Sequence, residues 1–409
     1  MVLEWMTRDG KLLLSTRGLR AFGYGLLSAL MFIYLGKVVG FSKLQVTAVL
    51  SATLLGSAAF TVFVSMYADR LGRKRLLIVL SILMALSGVT FVLSTNFYVL
   101  MLAAIVGTLS PTGAEIGSFL PMEQAILPQT VTQERRTTAF AAYNIVGYLA
   151  IAFGGLFYGV VGVLEKSVGY SAIDAHKVMF MLYAGLALAV AALYLFLSEK
   201  AEMYAVRGKQ ARVRMSPESR RKVARLSGLF AVDAFAGGFV LQTYILYWFS
   251  TTYNASAEMI GQLAFVAGLL TTLSMYAAVW LSKRIGLLRT MVFTHIPSSV
   301  FLILIPIGNS LALSTAFFFA RQAISQMDVP TRQSYTVAIV APEERTAAAG
   351  TTSIARNVSQ ATGAPASGVV EQSVSLSAPF FIGGLLKMAF DIAVYFSFRN
   401  IRPPEEKQG

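Results

Sequence analysis

Ten ionisable side chains stand inside stretches of this sequence that are otherwise apolar: Arg20, Glu115, Glu123, Asp233, Arg321, Asp328, Arg332, Arg356, Lys387 and Asp391. An unpaired charge in hydrocarbon costs about 2.5–3.5 kcal/mol on insertion scales, so each of them is expected to meet a partner or water. Residue type sets what each can do. A buried carboxyl can exchange a proton near physiological pH, whereas an arginine keeps its proton and is suited to holding an anion. Arg321, Asp328 and Arg332 recur at helical spacing, with Asp328 and Arg332 four apart and able to pair. Lys387 and Asp391 are also four apart and are expected to neutralise each other. His295, in FTHIPSS, reads as a packed, satisfied residue rather than a proton relay.

The elements that must position these groups are membrane helices. The chain of 409 residues is 56% hydrophobic and only 13% charged, against roughly one-quarter charged in soluble domains. The stretches Leu44–Ala68, Thr137–Leu164, Ala234–Ala257 and Met259–Ser282 contain no Asp, Glu, Lys or Arg, and each exceeds the ~20 residues of a spanning helix. Lipid gives the backbone no hydrogen-bond partner, so only helices or closed barrels cross it. The uniformly apolar runs lack the two-residue alternation of barrel strands. Polar punctuation divides the chain into twelve spans: 15–37, 44–68, 76–94, 97–127, 137–162, 176–198, 226–252, 257–281, 288–308, 311–340, 346–368 and 376–398. The N-terminal MVLEWMTRDGKLLLSTR carries acids and a short apolar core, unlike a cleavable signal.

Most of the 34 Lys and Arg lie in the termini and in the loops after the even-numbered spans, while the opposite loops hold Lys37, Lys43, Lys166 and Lys177. The positive-inside rule then predicts cytoplasmic termini for a multi-pass protein of the plasma (cell inner) membrane, and topology accounts for the +14 net charge without nucleic acid. A basic loop at 198–225 is expected to link an N-terminal bundle, 1–197, to a C-terminal bundle, 226–409, and to meet anionic lipid headgroups. The absence of cysteine and the presence of only two histidines, His176 and His295, argue against disulfides, a thiolate or zinc site and an enzyme built on them.

A repeat supports two halves. At a shift of 213 residues AFGYGLLSALMFIYLGK (21–37) meets AFAGGFVLQTYILYWFS (234–250). At a shift near 209–210, LPMEQA (120–125) meets VPTRQS (329–334) and QERRTTA (133–139) meets EERTAAA (343–349). In this register Arg20 aligns with Asp233 and Glu123 with Arg332: equivalent positions carry opposite charge. Arg20 is expected to pair with Glu123 and Asp233 with Arg332, or Arg20 to exchange partners toward Asp233 in a two-state switch. Glu115 lies among Pro111, Gly113, Gly117 and Pro121, which predict a broken fourth span of the kind that exposes backbone groups to ligands.

Six plus six spans, a basic central loop and ADRLGRK after span 2 together resemble the major facilitator superfamily of secondary transporters. The family loop G-x-x-x-D-R-x-G-R-[RK] is matched at Asp69, Arg70, Gly72, Arg73 and Lys74, with Ser65 in place of the first Gly. The second-half counterpart LSKRIGLLRT keeps Arg284, Gly286 and Arg289 without the acid. The resemblance implies an all-α fold of two pseudo-symmetric six-helix bundles, with spans 1, 4, 7 and 10 around a central cavity and Asp69 and Arg73 in a cytoplasmic gate. It places Arg20, Glu115, Glu123, Asp233, Asp328 and Arg332 in coupling or gating. Tyr34, Gln124, Gln242, Tyr244, Trp248, Arg321, Arg356 and Asn357 are expected on the substrate cavity.

The absence of a G-x-x-x-x-G-K-[ST] loop argues against direct use of ATP. The expectation is a monomeric secondary transporter without metal or cofactor, moving a small organic solute by alternating access with protons, as an efflux antiporter. GYLAIAFGGL (147–156) has the small residues of the family's antiporter signature but not its Gly-Pro, so proton-coupled uptake of an organic anion is the alternative. A non-transporting scaffold or sensor is the reading from another class.

Overall fold

Of the charged residues in the apolar runs, Arg20, Glu123, Asp233, Asp328, Arg332, Lys387 and Asp391 are buried on helices, and Arg321 and Arg356 are half-buried. A computed structural model describes residues 5–107, 109–110, 118–132, 135–199, 215–341 and 344–400, apart from the side chains of 65, 69, 70, 136–138, 337, 345 and 346. The order is α1 (Arg8–Ile33), α2 (Lys43–Leu71), α3 (Arg73–Leu93), α4 (Phe97–Val106), α5 (Phe119–Ile126), α6 (Arg136–Phe157), α7 (Val160–Val163), α8 (Ala172–Leu195), α9 (Pro217–Phe239), α10 (Gln242–Thr252), α11 (Ala257–Ile285), α12 (Leu287–Leu304), α13 (Leu311–Ile324), α14 (Asp328–Ala338), α15 (Arg345–Ser373) and α16 (Ala378–Phe398). No strand occurs among the described residues. Nine helical stretches among them are long and apolar enough to cross a bilayer.

The other three expected spans are those whose sequences carry breakers or polar runs. Span 4 is α4 and α5, with Pro111–Gly117 between them outside the described residues. Span 10 is α13 and α14, interrupted at Ser325–Met327. Span 11 is α15, a 29-residue helix rich in Ser, Thr, Gln and Gly. Leu93, Tyr98, Leu102, Leu273 and Phe396 are exposed, the outward apolar surface that lipid solvates and water would not.

Helix ends follow local chemistry. Ser42 and Gln45 form a capping box on α2, and Asn96 accepts the Tyr98 and Val99 amides at α4, satisfying donors that have no partner within the helix. Gly72 (φ 95°) joins α2 to α3, and Gly286 (φ 88°) joins α11 to α12. Both reversals need a left-handed residue, which glycine supplies without a Cβ clash, and both fall at the same place in the repeat.

The chain forms two compact units: Met1–Lys209 with Gln242–Phe265, and Gln210–Leu241 with Val266–Gly409. In the first, α10 lies on α1. Thr243 Oγ1 accepts the Phe32 amide at 3.2 Å, and the Phe32 and Tyr247 rings are 4.5 Å apart. Close approach of α1 and α6 rests on Gly25 and Gly154, where a Cβ would stand 2.0 Å and 1.9 Å from the Ile151 and Phe22 carbonyl oxygens. The second unit repeats the device between α9 and α15: a Cβ at Gly238 would be 2.5 Å from the Gln360 oxygen, and one at Gly363 would be 2.1 Å from that of Phe235. Small residues let membrane helices approach backbone to backbone where lipid offers no hydrophobic drive.

Candidate functional site

Among the described residues each unit encloses a cluster of buried charge. In the first unit α5 buries Phe119, Met122, Glu123 and Ile126 on one face, a helical stripe that leaves Glu123 no route to solvent. Its carboxylate is bonded on both oxygens. Oε2 accepts from Arg20 Nη2 at 2.5 Å and from the Tyr143 hydroxyl at 2.5 Å. Oε1 accepts from the Tyr194 hydroxyl at 2.6 Å, from Thr16 at 3.1 Å and from Arg20 Nη1 at 3.3 Å. Tyr194 in turn accepts from Arg20 Nη1 at 2.7 Å. The Arg20 guanidinium stacks over Phe119 at 4.3 Å, and that of Arg17 over Tyr143 at 4.8 Å. Arg20 and Glu123 are fully buried, so desolvation is offset by a near-complete set of charge-assisted bonds.

The second unit holds a larger cluster, again from core stripes. Leu226, Phe230 and Asp233 share a face of α9; Met291, His295 and Leu302 one of α12; Lys387, Asp391, Val394 and Phe398 one of α16. Asp233 is the centre. Oδ1 takes Lys387 Nζ at 2.8 Å, with His295 Nε2 at 3.7 Å. Oδ2 takes Arg356 Nη1 at 2.7 Å, with Arg332 Nη1 at 3.8 Å. Arg332 pairs with Asp328 one turn earlier in α14. Asp328 is the first residue of that helix, where the dipole favours an anion. His295 Nδ1 lies 2.9 Å from both oxygens of Asp391.

Several expectations meet their geometry here, and others are redirected. Arg20 pairs with Glu123, and Asp328 with Arg332. Arg332 is only a secondary neighbour of Asp233. Lys387 and Asp391 do not neutralise each other: both face the core, where Lys387 reaches Asp233 on α9 and Asp391 reaches His295 on α12. His295 is packed and satisfied, but by a carboxylate. Glu115 and the side chains of Asp69 and Arg70 lie outside the described residues; Gly72 makes the turn, Arg73 opens α3, and Lys74 donates to the Leu197 carbonyl at 2.7 Å.

The residues expected on the cavity wall are scattered. Tyr34 is buried in the first unit, its hydroxyl donating to the Phe91 carbonyl at 3.1 Å and its ring 4.9 Å from Phe180. Tyr244 packs edge-on against Phe32 at 5.3 Å, and Trp248 against Phe249 and Tyr253. Gln242 begins α10 half-buried, and Gln124 is exposed on the face of α5 away from Glu123. A cavity of about 430 Å³ in this unit is lined instead by Ile33, Lys37, Tyr158, Glu165, His176 and Ser256 among others. In the second unit Arg356 and its neighbour Asn357 are half-buried on α15. Arg321 donates to Gln322 at 2.6 Å and has no carboxylate within 4 Å among the described residues.

Sequence reasoning missed Arg17, Tyr143 and Tyr194, and it left His295, Lys387 and Asp391 out of the site. A signal existed for the tyrosines, because a buried Tyr hydroxyl needs a partner.

The comparisons with known proteins agree on the architecture. The model of the Major Facilitator Superfamily matches residues 13–251 and 226–409. An uncharacterized membrane protein of Saccharomyces cerevisiae, YJR124C, is 27% identical over 98% of this chain and 96% of its own length. Among solved structures, the nucleoside transporter NupG superposes with a TM-score of 0.78 at 14% identity, covering 96% of this chain and 100% of its own. A D-xylose–proton symporter gives 0.74 at 14%, covering 94% and 97%. The human organic anion transporter MFSD10 gives 0.61 at 15%, covering 95% and 99%.

Proposed function

This chain belongs to the major facilitator superfamily, and from that premise we propose a secondary transporter that moves a small organic anion together with a proton by alternating access. The observation that carries the reading is Asp233: one buried carboxylate with Lys387, Arg356, Arg332 and His295 all within 4 Å. A group addressed by four bases from four helices is a branch point, and its pairing can be redistributed by a proton or an anion. Glu123, by contrast, has every donor in place, so we assign Arg20–Glu123 to holding the first unit and Asp233 to coupling. Glu115 is a second proposed carrier on its sequence setting alone.

Arg321 favours an anionic solute. Its half-buried guanidinium donates to Gln322 and has no carboxylate within 4 Å among the described residues, which leaves it able to pair with a solute carboxylate. Efflux by antiport is the weaker reading, since no Gly-Pro stands in span 5. A D-xylose–proton symporter and an organic anion transporter among the structural neighbours support each half of the proposal by fold alone.

The test is uptake into proteoliposomes under an imposed pH gradient, acid outside, across a panel of mono- and dicarboxylates and sulfonates. Accumulation is expected to follow the gradient and to be lost in Asp233→Asn while Asp233→Glu retains part of it. Wild-type accumulation indifferent to the gradient removes the proposal.

A further inference from the structure

His295 stands between two carboxylates, bonded to Asp391 through Nδ1 and facing Asp233 Oδ1 across 3.7 Å with Nε2. The charged groups of the cluster it belongs to are Asp233 from α9, Asp328 and Arg332 from α14, Arg356 from α15, and Lys387 and Asp391 from α16, with Arg321 of α13 engaged by Gln322. The edge of the Phe390 ring closes a further side at 6.1 Å. The ion-paired groups are three carboxylates and three cations, with Arg321 a fourth cation beside them. A proton on His295 therefore adds positive charge where cations already match or outnumber carboxylates.

The ring's two nitrogens fix what that proton does. With Asp391 ionised, its bond to the ring places hydrogen on Nδ1, so the neutral ring turns a lone pair toward Asp233 and no bond joins them. Protonation at Nε2 converts this contact into a donor and an acceptor. Closing 3.7 Å to the roughly 2.7–2.9 Å of a charge-assisted bond brings the two groups about 1 Å nearer. Arg356, held at 2.7 Å by the other oxygen, then shares the carboxylate's charge with a new donor, and it is the most exposed cation of the cluster, at 25% against 11% for Lys387 and Arg332.

We infer that His295 is the proton-binding residue of the second unit and that its proton competes with Arg356 for Asp233, releasing Arg356 to take an anion. The inference rests on the proton-coupled reading above and names the carrier and the relay. Proton and anion then bind together, which is the sign symport requires.

The chain has only two histidines, so protein made with isotope-labelled histidine and placed in nanodiscs shows two imidazole spin systems by NMR, assigned with His295→Gln. His295 is expected to change its protonation signature over the pH range in which the nanodisc sample stays folded. Its midpoint is expected to move in opposite senses in Asp233→Asn and Arg356→Gln, because coupling between two ligands of one carboxylate is reciprocal. A signal constant over that range, or a midpoint unmoved by Arg356→Gln, overturns the inference; Arg356→Gln suffices should Asp233→Asn fail to fold. No solute is needed, so this result can fail while gradient-driven uptake stands, and uptake can fail while His295 titrates.

Discussion

A fully buried charge is destabilising alone and tolerable in company, and the first unit shows how much company it takes. Glu123 has five donor contacts from Arg20, Tyr143, Tyr194 and Thr16. Removing one member of such a pair leaves the other in the interior at a cost of about 3–5 kcal/mol. Arg20→Met and Glu123→Gln are each expected to destabilise the fold by an amount of that order, read as a lower midpoint of thermal unfolding in detergent. The double variant Arg20→Met/Glu123→Leu is expected to lose less than the two singles summed, because no ion is stranded; an additive double would show that the two groups act apart. This pair was legible in the sequence, because a shifted alignment put opposite charges at equivalent places. The cluster around Asp233 was not. Lys387 and Asp391 one turn apart look self-sufficient, and only the packing of α9 and α12 against α16 reveals that each has a nearer partner on another helix.

The two glycine seams make a related argument at the level of elements. Gly25 with Gly154 joins α1 to α6, and Gly238 with Gly363 joins α9 to α15, each with carbonyl oxygens where a methyl group would sit. Gly25→Ala and Gly363→Ala are each expected to destabilise by about 1–3 kcal/mol through overpacking. Gly185→Ala in α8, where nothing lies within 4 Å of the new methyl, is expected to be neutral or to stabilise by about 0.5–1 kcal/mol through helix propensity. Thermal unfolding midpoints compare the three; equal effects would remove the seams as packing devices. Hydropathy located α2, α3, α8, α11, α12 and α16 within a few residues, because lipid imposes a minimum length and a composition. It drew α13–α14 as a single span, since the window that finds an apolar run does not register the turn at Ser325–Met327, whereas the prolines and glycines of span 4 signal a break.

For the whole molecule, the distribution of basic residues makes the orientation testable. The loop between α3 and α4 carries no Lys or Arg, whereas the end of α11 carries Lys283 and Arg284. Translocating such charges is disfavoured, so the second site is expected to stay in the cytoplasm and the first to reach the opposite side. The native chain has no cysteine, which makes any introduced thiol the single point of attack for a maleimide. Thr95 and Lys283 are both exposed, so Thr95→Cys and Lys283→Cys interrogate the two sides without disturbing a packed contact. In intact cells a membrane-impermeant maleimide is expected to label Thr95→Cys and to spare Lys283→Cys until the membrane is permeabilised. The reverse pattern would place the termini on the far side of the bilayer and, with them, invert which face of the transporter meets the acid side of a proton gradient. Labelling at both sites from outside would mean mixed insertion, which the sharp segregation of Lys and Arg between alternate loops argues against.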